Sequence, residues 1–423
     1  MKTINTLLIG GGGREYAIAW KISQSKLLGK FFSINGSDGI SKYATNVKNI
    51  NWHEFDKVLD FCTKNEIDLV VIGPEEPIVK GLSDFLRSND INVFAPSMEG
   101  SKIESSKEFT KIICDKTGIP TAGYKTFTDL KSILEYLETL DKFPVVLKYD
   151  GLAAGKGVKV SMSKSDAIRD ANDLFKSYGN KNFKLVVEEF LEGRELSFFA
   201  LLDGYSTVKF GVAQDYKRAY DNDLGENTGG MGAISGDFLM NQELEDKVMS
   251  RIIKPLTKYL QDNKIVYRGV IFAGLMINPE GNPHLIEFNC RFGDPETEAM
   301  CMRLKSDLLG ILYNTAIGRL SESEIDFFSE PSICIVMAAN GYPGEYKKGD
   351  RIGLLPKCSK NSRIFHHGTK FHDGSWYSNG GRLLSVNVLG SDLEDARKKA
   401  YEKIGKINFD GGFYRRDIGK TVN

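Results

Sequence analysis

In the stretch HLIEFNCRFGDPE, residues 284 to 296, three polar side chains recur at every second position: Glu287, Asn289 and Arg291. In an extended strand that spacing puts them on one face and leaves His284, Ile286, Phe288 and Cys290 on the other. Carboxylate and amide oxygens are hard ligands that suit magnesium, an ion that keeps its other positions for water and phosphate. A guanidinium beside them can grip a phosphate or carboxylate through paired hydrogen bonds. Plain packing explains the trio poorly, because buried polar groups without partners are costly. A solvated strand face is the bland alternative.

A second stretch, KYDGLAAGKGVKV at 148 to 160, ends one strand with Lys148, carries Lys156 on a glycine-rich turn and opens another strand. Such a hairpin can close over a triphosphate while both ammonium groups neutralise its oxygens, although the spacing is not that of a P-loop. In LVVEEFLEG, the run Glu188, Glu189, Phe190 and Leu191 ends a strand and can offer backbone groups to an adenine edge. Glu195 adds a carboxylate for ribose hydroxyls. In QDYKR, Asp215 can receive an amine and Lys217 an anion, and ENTGGMGA adds backbone donors. His366 and His367 lack the partner pattern of a metal cluster, so HHGTK and NGGR read as substrate-facing turns. The absence of a GxSxG elbow leaves covalent acyl transfer without support.

The N-terminal LLIGGGGREYAIAW looks at first like a dinucleotide loop. Counting from Gly10 and Gly12, however, the third glycine falls on Glu15, and the next strand closes with Ile34-Asn35-Gly36 where an acid would hold a ribose. A phosphate cradle at a helix N-terminus remains, with Gly12 and Gly13 as its amides.

These residues need a scaffold. Apolar strands alternate with amphipathic helices over the first hundred residues, the rhythm of a parallel sheet. Such a sheet binds at the carboxyl ends of its strands, which groups Gly10 to Gly13, the corner Gly73, Pro74 and Glu75, and the turn at Ala95 to Ser97 on one rim. A helix is expected from Ser105 or Ser106 to Gly118, then a smaller α/β unit, mixed strands around a loop NDLGENTGGMGA, a helix from Leu244 to Leu260, and a further change of pattern near Ser329. Three major units and an inserted lid result.

With 423 residues, the chain is long enough for roughly two to four domains. Lys plus Arg and Asp plus Glu both number 56, so no overall field favours nucleic acid or an anionic membrane. The absence of a charged leader and of a long apolar run points to a cytoplasmic chain. Six scattered cysteines without a CxxC pair read as ordinary thiols.

Taken in order, GGGGRE, GPEEPIVKGL, SKEFTK, KYDGLAAGKGV, EEFLEG, QDYKR, NTGGMGA, EFNCRFGDPE, AANGYPG, FHHGTK and NGGR closely resemble the phosphoribosylamine-glycine ligase family of the ATP-grasp superfamily, from about residue 4 to residue 419. The resemblance implies an α/β chain in which an ATP-grasp core is flanked by an N-terminal parallel α/β domain and a small C-terminal α+β domain. The implied boundaries are 1–104, 105–121 with 192–325 for the core, 122–191 for the lid, and 326–423. It implies ATP as co-substrate, Mg2+ or Mn2+ as metal, glycine and 5-phosphoribosylamine as substrates, and a stand-alone monomer. Lys107, Lys148 and Lys156 then fall to the ATP phosphates, Glu188 to Leu191 with Glu195 to adenosine, and Glu287 with Asn289 to the metal. Gly12, Gly13 and Gly73 to Glu75 fall to phosphoribosylamine. Asp215, Lys217 and Arg291 hold glycine, the amine or the reactive phosphate, and Lys148, Lys156, Arg291 and Asp215 carry the catalysis. Many ATP-grasp enzymes add an acidic ligand on the preceding strand, and GVIFAGLMI contains none. Tyr16 and Tyr216 stand where histidine is frequent in relatives.

Overall fold

The computed structural model describes residues 3–153, 156–179 and 183–420. The first part holds β1 (Ile4–Ile9), α1 (Gly13–Ile22), β2 (Leu28–Ile34), β3 (Thr45–Val47), α2 (Phe55–Lys64), β4 (Leu69–Ile72), α3 (Glu75–Val79), α4 (Leu82–Arg87) and β5 (Val93–Pro96). Its strands run parallel in the order β5-β4-β1-β2-β3. Leu7, Ile9, Val70 and Ile72 enter one core while Leu8, Leu69 and Val71 enter another, so both sheet faces are covered. That double burial is why these strands read as unbroken apolar runs. Between β4 and β5 stand two short helices, α3 and α4, parted at Gly81, whose φ of 90° falls in the left-handed region.

Next come α5 (Lys102–Ser105) and α6 (Lys107–Thr117). The Ser106 hydroxyl caps α6 by accepting from Phe109 N–H at 3.1 Å, and Gly118 ends it at φ 72°. A four-stranded antiparallel sheet follows, ordered β6-β9-β7-β8. It contains β6 (Tyr124–Phe127), α7 (Leu130–Glu138), β7 (Val145–Tyr149), β8 (Val158–Ser161), α8 (Lys164–Tyr178) and β9 (Leu185–Glu189). Ile133, Leu137, Leu147, Ala167, Leu174 and Leu185 give it a core of its own.

The chain then returns through β10 (Arg194–Leu202), β11 (Thr207–Asp215), β12 (Arg218–Tyr220), β13 (Leu224–Asn227) and β14 (Gly232–Ser235). The expected loop NDLGENTGGMGA thus contains β13, paired with β12, and the start of β14. The helix expected over Leu244 to Leu260 is α9 (Gln242–Val248) and α10 (Lys254–Asp262), joined by a wider π turn. After β15 (Tyr267–Ile277) and β16 (Pro283–Asn289) stand α11 (Glu296–Arg303) and α12 (Leu308–Ile317). The last part has β17 (Ser332–Ala339), β18 (Arg351–Ile352), β19 (Ser362–His366), β20 (Thr369–His372), β21 (Ser375–Ser378), β22 (Arg382–Leu389), α13 (Leu393–Ile404) and β23 (Gly412–Phe413).

One long sheet ties these parts together in the order β19-β22-β17-β14-β11-β10-β15-β5-β4-β1-β2-β3. The join is β15 against β5, with Tyr267 opposite Pro96 and Arg268 opposite Ala95. No described helix is long and apolar enough to cross a membrane.

Candidate active site

Strand β16 departs from simple alternation. Opposite β15, Glu287 pairs with Gly274 but Leu285 with Leu275, so Ile286 is an extra, bulged residue. The bulge reverses the phase: His284 shares the face of Glu287 and Asn289, contrary to the expected split, while Leu285 joins Phe288 and Cys290 in the core. It also turns the Ile286 carbonyl outward, where Lys148 Nζ donates to it at 3.1 Å. The position facing Glu287 on β15 is Gly274, so no acid comes from that strand, as its sequence indicates.

Glu104 of α5, which no motif singled out, organises the end of this strand. Its Oε1 accepts from Asn289 Nδ2 at 3.0 Å and lies 2.9 Å from Arg291 Nη2, while its Oε2 accepts from the Cys290 N–H at 2.8 Å. Arg291 also lies 3.4 Å from Glu75, the first residue of α3. Burial alone would lower the Arg291 pKa, but Glu104 and Glu75 outweigh it and hold the guanidinium firmly charged.

The Glu287 carboxylate makes no hydrogen bond or ion pair among the described residues. Burial would raise its pKa, yet Lys217, Lys148, Lys107 and Arg291 around it hold it below the ordinary value. It is therefore an ionised oxygen donor left open, next to the Asn289 amide whose nitrogen is taken by Glu104. An oxygen-seeking divalent cation fits that donor set.

Two groups of charges flank Glu287. On one side, Lys148 Nζ lies 2.9 Å and Lys111 Nζ 3.3 Å from Glu188 Oε2, all three side chains buried. Lys107 Nζ donates to the Gly151 carbonyl at 2.7 Å, and the Asp150 carboxylate accepts from Ser106 Oγ and Glu108 N–H, each at 3.2 Å. The root of the hairpin is thus fastened to the start of α6. On the other side, Lys217 pairs with Glu195 and lies 3.9 Å from Asp215. Desolvation would lower the Lys217 pKa, but Asp215, Glu195 and Glu287 drive it well above the ordinary value. Asp215 is pushed well up by its burial, aided by Glu296, Glu195 and Glu287 and opposed by Lys217.

At the glycine turn, Gly12 N–H donates to Glu15 Oε2 at 2.7 Å, and a methyl group at Gly73 would overlap the same carboxylate. The Glu15 carboxylate thus sits between Gly12 and Gly73, at the position where the dinucleotide pattern requires its third glycine. Arg14 Nε bonds Glu15 at 2.6 Å, and Arg14 Nη1 donates to the Phe292 carbonyl at 2.9 Å. Gly13 packs against His367 and Glu298. In the HHGTK turn His366 and His367 are both buried, and His366 Nδ1 meets Thr369 Oγ1 at 2.8 Å. Tyr16 and Tyr216 are buried in the cores as well.

Lys107, Lys148, Glu188, Glu195, Asp215, Lys217, Glu287, Asn289, Arg291 and Glu75 are thus linked in one network of contacts and charges. Lys156 stands outside it, exposed on the hairpin beside Ala154 and Gly155, which lie outside the described residues. Glu189 and Phe190 are exposed, while the Glu188 side chain faces the two lysines and the Glu189 N–H donates to the Gly123 carbonyl at 2.9 Å. Besides Glu104, the sequence reading missed Lys111, Asp150, Glu296 and Glu298. The DPETE run of FGDPETEAM was the available signal for the last two.

Models of the phosphoribosylglycinamide synthetase N domain, ATP-grasp (A) domain and C domain match residues 4–104, 105–297 and 332–421. Phosphoribosylamine–glycine ligases of Rhizobium meliloti and Mesorhizobium japonicum are 43% and 44% identical, each match covering 98% of both chains. The chain belongs to the phosphoribosylglycinamide synthetase family. The solved phosphoribosylamine–glycine ligase of Thermotoga maritima matches 98% of this synthetase-family chain and 100% of its own, at 31% identity and TM-score 0.84. The biotin carboxylase domain of a Hydrogenobacter thermophilus 2-oxoglutarate carboxylase, solved with magnesium ADP, shares the fold at TM-score 0.72 and 16% identity, covering 98% and 92% of the two chains. In family terms, Glu287 and Asn289 lie in the ATP-grasp part, the glycine turn in the N part and His367 in the C part.

Proposed function

We propose that this chain joins glycine to 5-phosphoribosylamine, with ATP converted to ADP and phosphate, and so makes glycinamide ribonucleotide for purine synthesis. The observation that carries the reading at the site is the open, ionised Glu287 among Lys107, Lys148 and Lys217. Such a place suits a metal-bound triphosphate and the carboxylate that attacks it.

Glycine is a poor acyl donor because its carboxylate oxygen leaves badly. Attack of that oxygen on the γ-phosphorus of ATP forms glycyl phosphate and releases ADP. The neutral amine of phosphoribosylamine then attacks the glycyl carbon; the new C–N bond forms, the C–O bond to phosphate breaks and the amine loses a proton. Asp215, its pKa well above the ordinary carboxylate value, is suited to take that proton. Lys148, Lys107 and Arg291 stabilise phosphoryl charge in a site already rich in fixed cations. Lys156 joins them when the hairpin closes. Magnesium, or manganese in its place, held by Glu287 and Asn289, supplies further charge neutralisation. The backbone of Glu188 to Leu191 receives the adenine. Gly12, Gly13, Gly73, Pro74 and Glu75 receive the phosphoribosyl part. No protein nucleophile takes part, and holding the reactants together supplies the proximity gain.

The test is an assay of ADP and amide with freshly generated phosphoribosylamine, omitting each reactant in turn. Amide must require all three substrates and a divalent ion. Turnover of ATP without any amide product would sink the reading.

A further inference from the structure

Asp294, Glu298 and His367 each offer a ligand atom such that all three atoms lie within 4.8 Å of one another. They come from three places: the turn after β16, the first turn of α11, and the turn after β19. Asp294 Oδ1, both Glu298 oxygens and both His367 ring nitrogens are buried without a hydrogen-bond partner among the described residues. Buried polar atoms are nearly always satisfied, so this cluster of orphans calls for an unseen partner.

We infer that Asp294, Glu298 and His367 form a second metal site, distinct from Glu287 and Asn289, that takes a divalent transition ion of the zinc class. The donor set decides the class: one imidazole with two carboxylates suits zinc, whereas magnesium keeps to oxygen. His367 Nε2 lies 3.3 Å from Glu298 Oε1, and His367 Nδ1 lies 3.6 Å from Asp294 Oδ1. One ion takes a single ring nitrogen, and ligand bonds of about 2.0–2.2 Å allow separations up to about 4 Å, so drawing three atoms that lie within 4.8 Å of one another onto an ion asks for side-chain shifts of about an ångström. The surrounding charge permits it. Arg382 Nη1 lies 3.0 Å from Asp294 Oδ1 and offsets one carboxylate, while Asp294 Oδ2 accepts from the Arg14 N–H at 3.2 Å. The second carboxylate, Glu298, has no cation within ion-pair distance among the described residues other than His367, should that ring be protonated. Gly13 closes the site from the N-terminal part, since a side chain there would overlap both His367 and Glu298. The ion would therefore join the ATP-grasp part, through Asp294, to the C part, through His367, beside the start of α1.

The full chain, stripped of metal and then equilibrated with micromolar Zn2+, is passed through metal-free buffer and its bound zinc measured, alongside melting with and without Zn2+. About one retained zinc per chain is expected in the wild type and in Glu287→Ala, with melting raised by several degrees. Both the retained zinc and the shift are lost in Glu298→Gln and in His367→Ala; the two variants guard against one that fails to fold. A wild type that retains no zinc, or variants that retain it equally, overturns the site and leaves Glu298 as a protonated partner of His367.

Discussion

Glu104 Oε1 stands 3.0 Å from Asn289 Nδ2, and that hydrogen bond decides which way the Asn289 amide faces. With the nitrogen held, the oxygen is the atom left for a metal. The same carboxylate holds Arg291 and the Cys290 amide, so one side chain sets the end of β16. Glu104→Gln is expected to weaken metal affinity about tenfold or more, the usual effect of losing such an orienting partner. Direct Mn2+ binding together with a metal titration of turnover measures it. An unchanged affinity would show that Asn289 is oriented without Glu104.

Glu287 makes no hydrogen bond or ion pair among the described residues, and Gln keeps its shape, so Glu287→Gln separates chemistry from folding. Turnover is expected to fall by about two orders of magnitude or more, in keeping with the several kcal/mol of charge stabilisation a catalytic metal supplies. Melting should move by no more than about 3 °C. Full turnover at limiting magnesium would remove Glu287 from the metal site.

Local signals in the chain were readable where the physics is local. Ser106 and Gly118 bound α6 as expected because capping and left-handed termination depend on neighbouring residues alone. The polar face of β16 was readable from Glu287 onward, but a bulge at Ile286 has no sequence signature strong enough to place it, and it carried His284 to the other face. Glu104 was illegible for a different reason. In KIESS it reads as a surface helix residue, and its meaning comes from partners 185 and 186 positions away. The Glu188 side chain was likewise set by Lys148 and Lys111 across a sheet and a helix, not by its own strand.

That buried trio makes a stability prediction. Glu188→Ala leaves two buried ammonium groups facing each other, a loss of about 3–5 kcal/mol by analogy with broken buried pairs. Lys148→Met should cost less, because Lys111 still answers Glu188 at 3.3 Å. Urea unfolding of both variants gives the order; a larger loss for Lys148→Met would mean that Lys148, not Glu188, is the centre of the trio.

Asp150 fastens the hairpin root to α6 through Ser106 Oγ and the Glu108 N–H. Asp150→Ala removes both bonds without touching a residue assigned to chemistry. The hairpin must then be ordered at the moment ATP binds, so KM for ATP is expected to rise several-fold while kcat changes little. A fall in kcat with KM unchanged would place Asp150 in the reaction instead of in lid positioning.

The contact between Arg291 and Glu75 gives a pH dependence. Burial would raise the Glu75 pKa, but Arg291 and Arg14 outweigh it and hold it below the ordinary 4.5. A carboxyl with a depressed folded value binds fewer protons folded than unfolded, so its stabilisation is complete above the ordinary carboxylate range and is lost as pH falls through the folded value. Between about pH 5 and pH 3 the wild type should therefore lose stability more steeply than Glu75→Gln, which has no charge to lose. Urea midpoints measured through that window supply the comparison. Parallel slopes would mean that the folded chain does not hold Glu75 ionised, and that Arg291 relies on Glu104 alone.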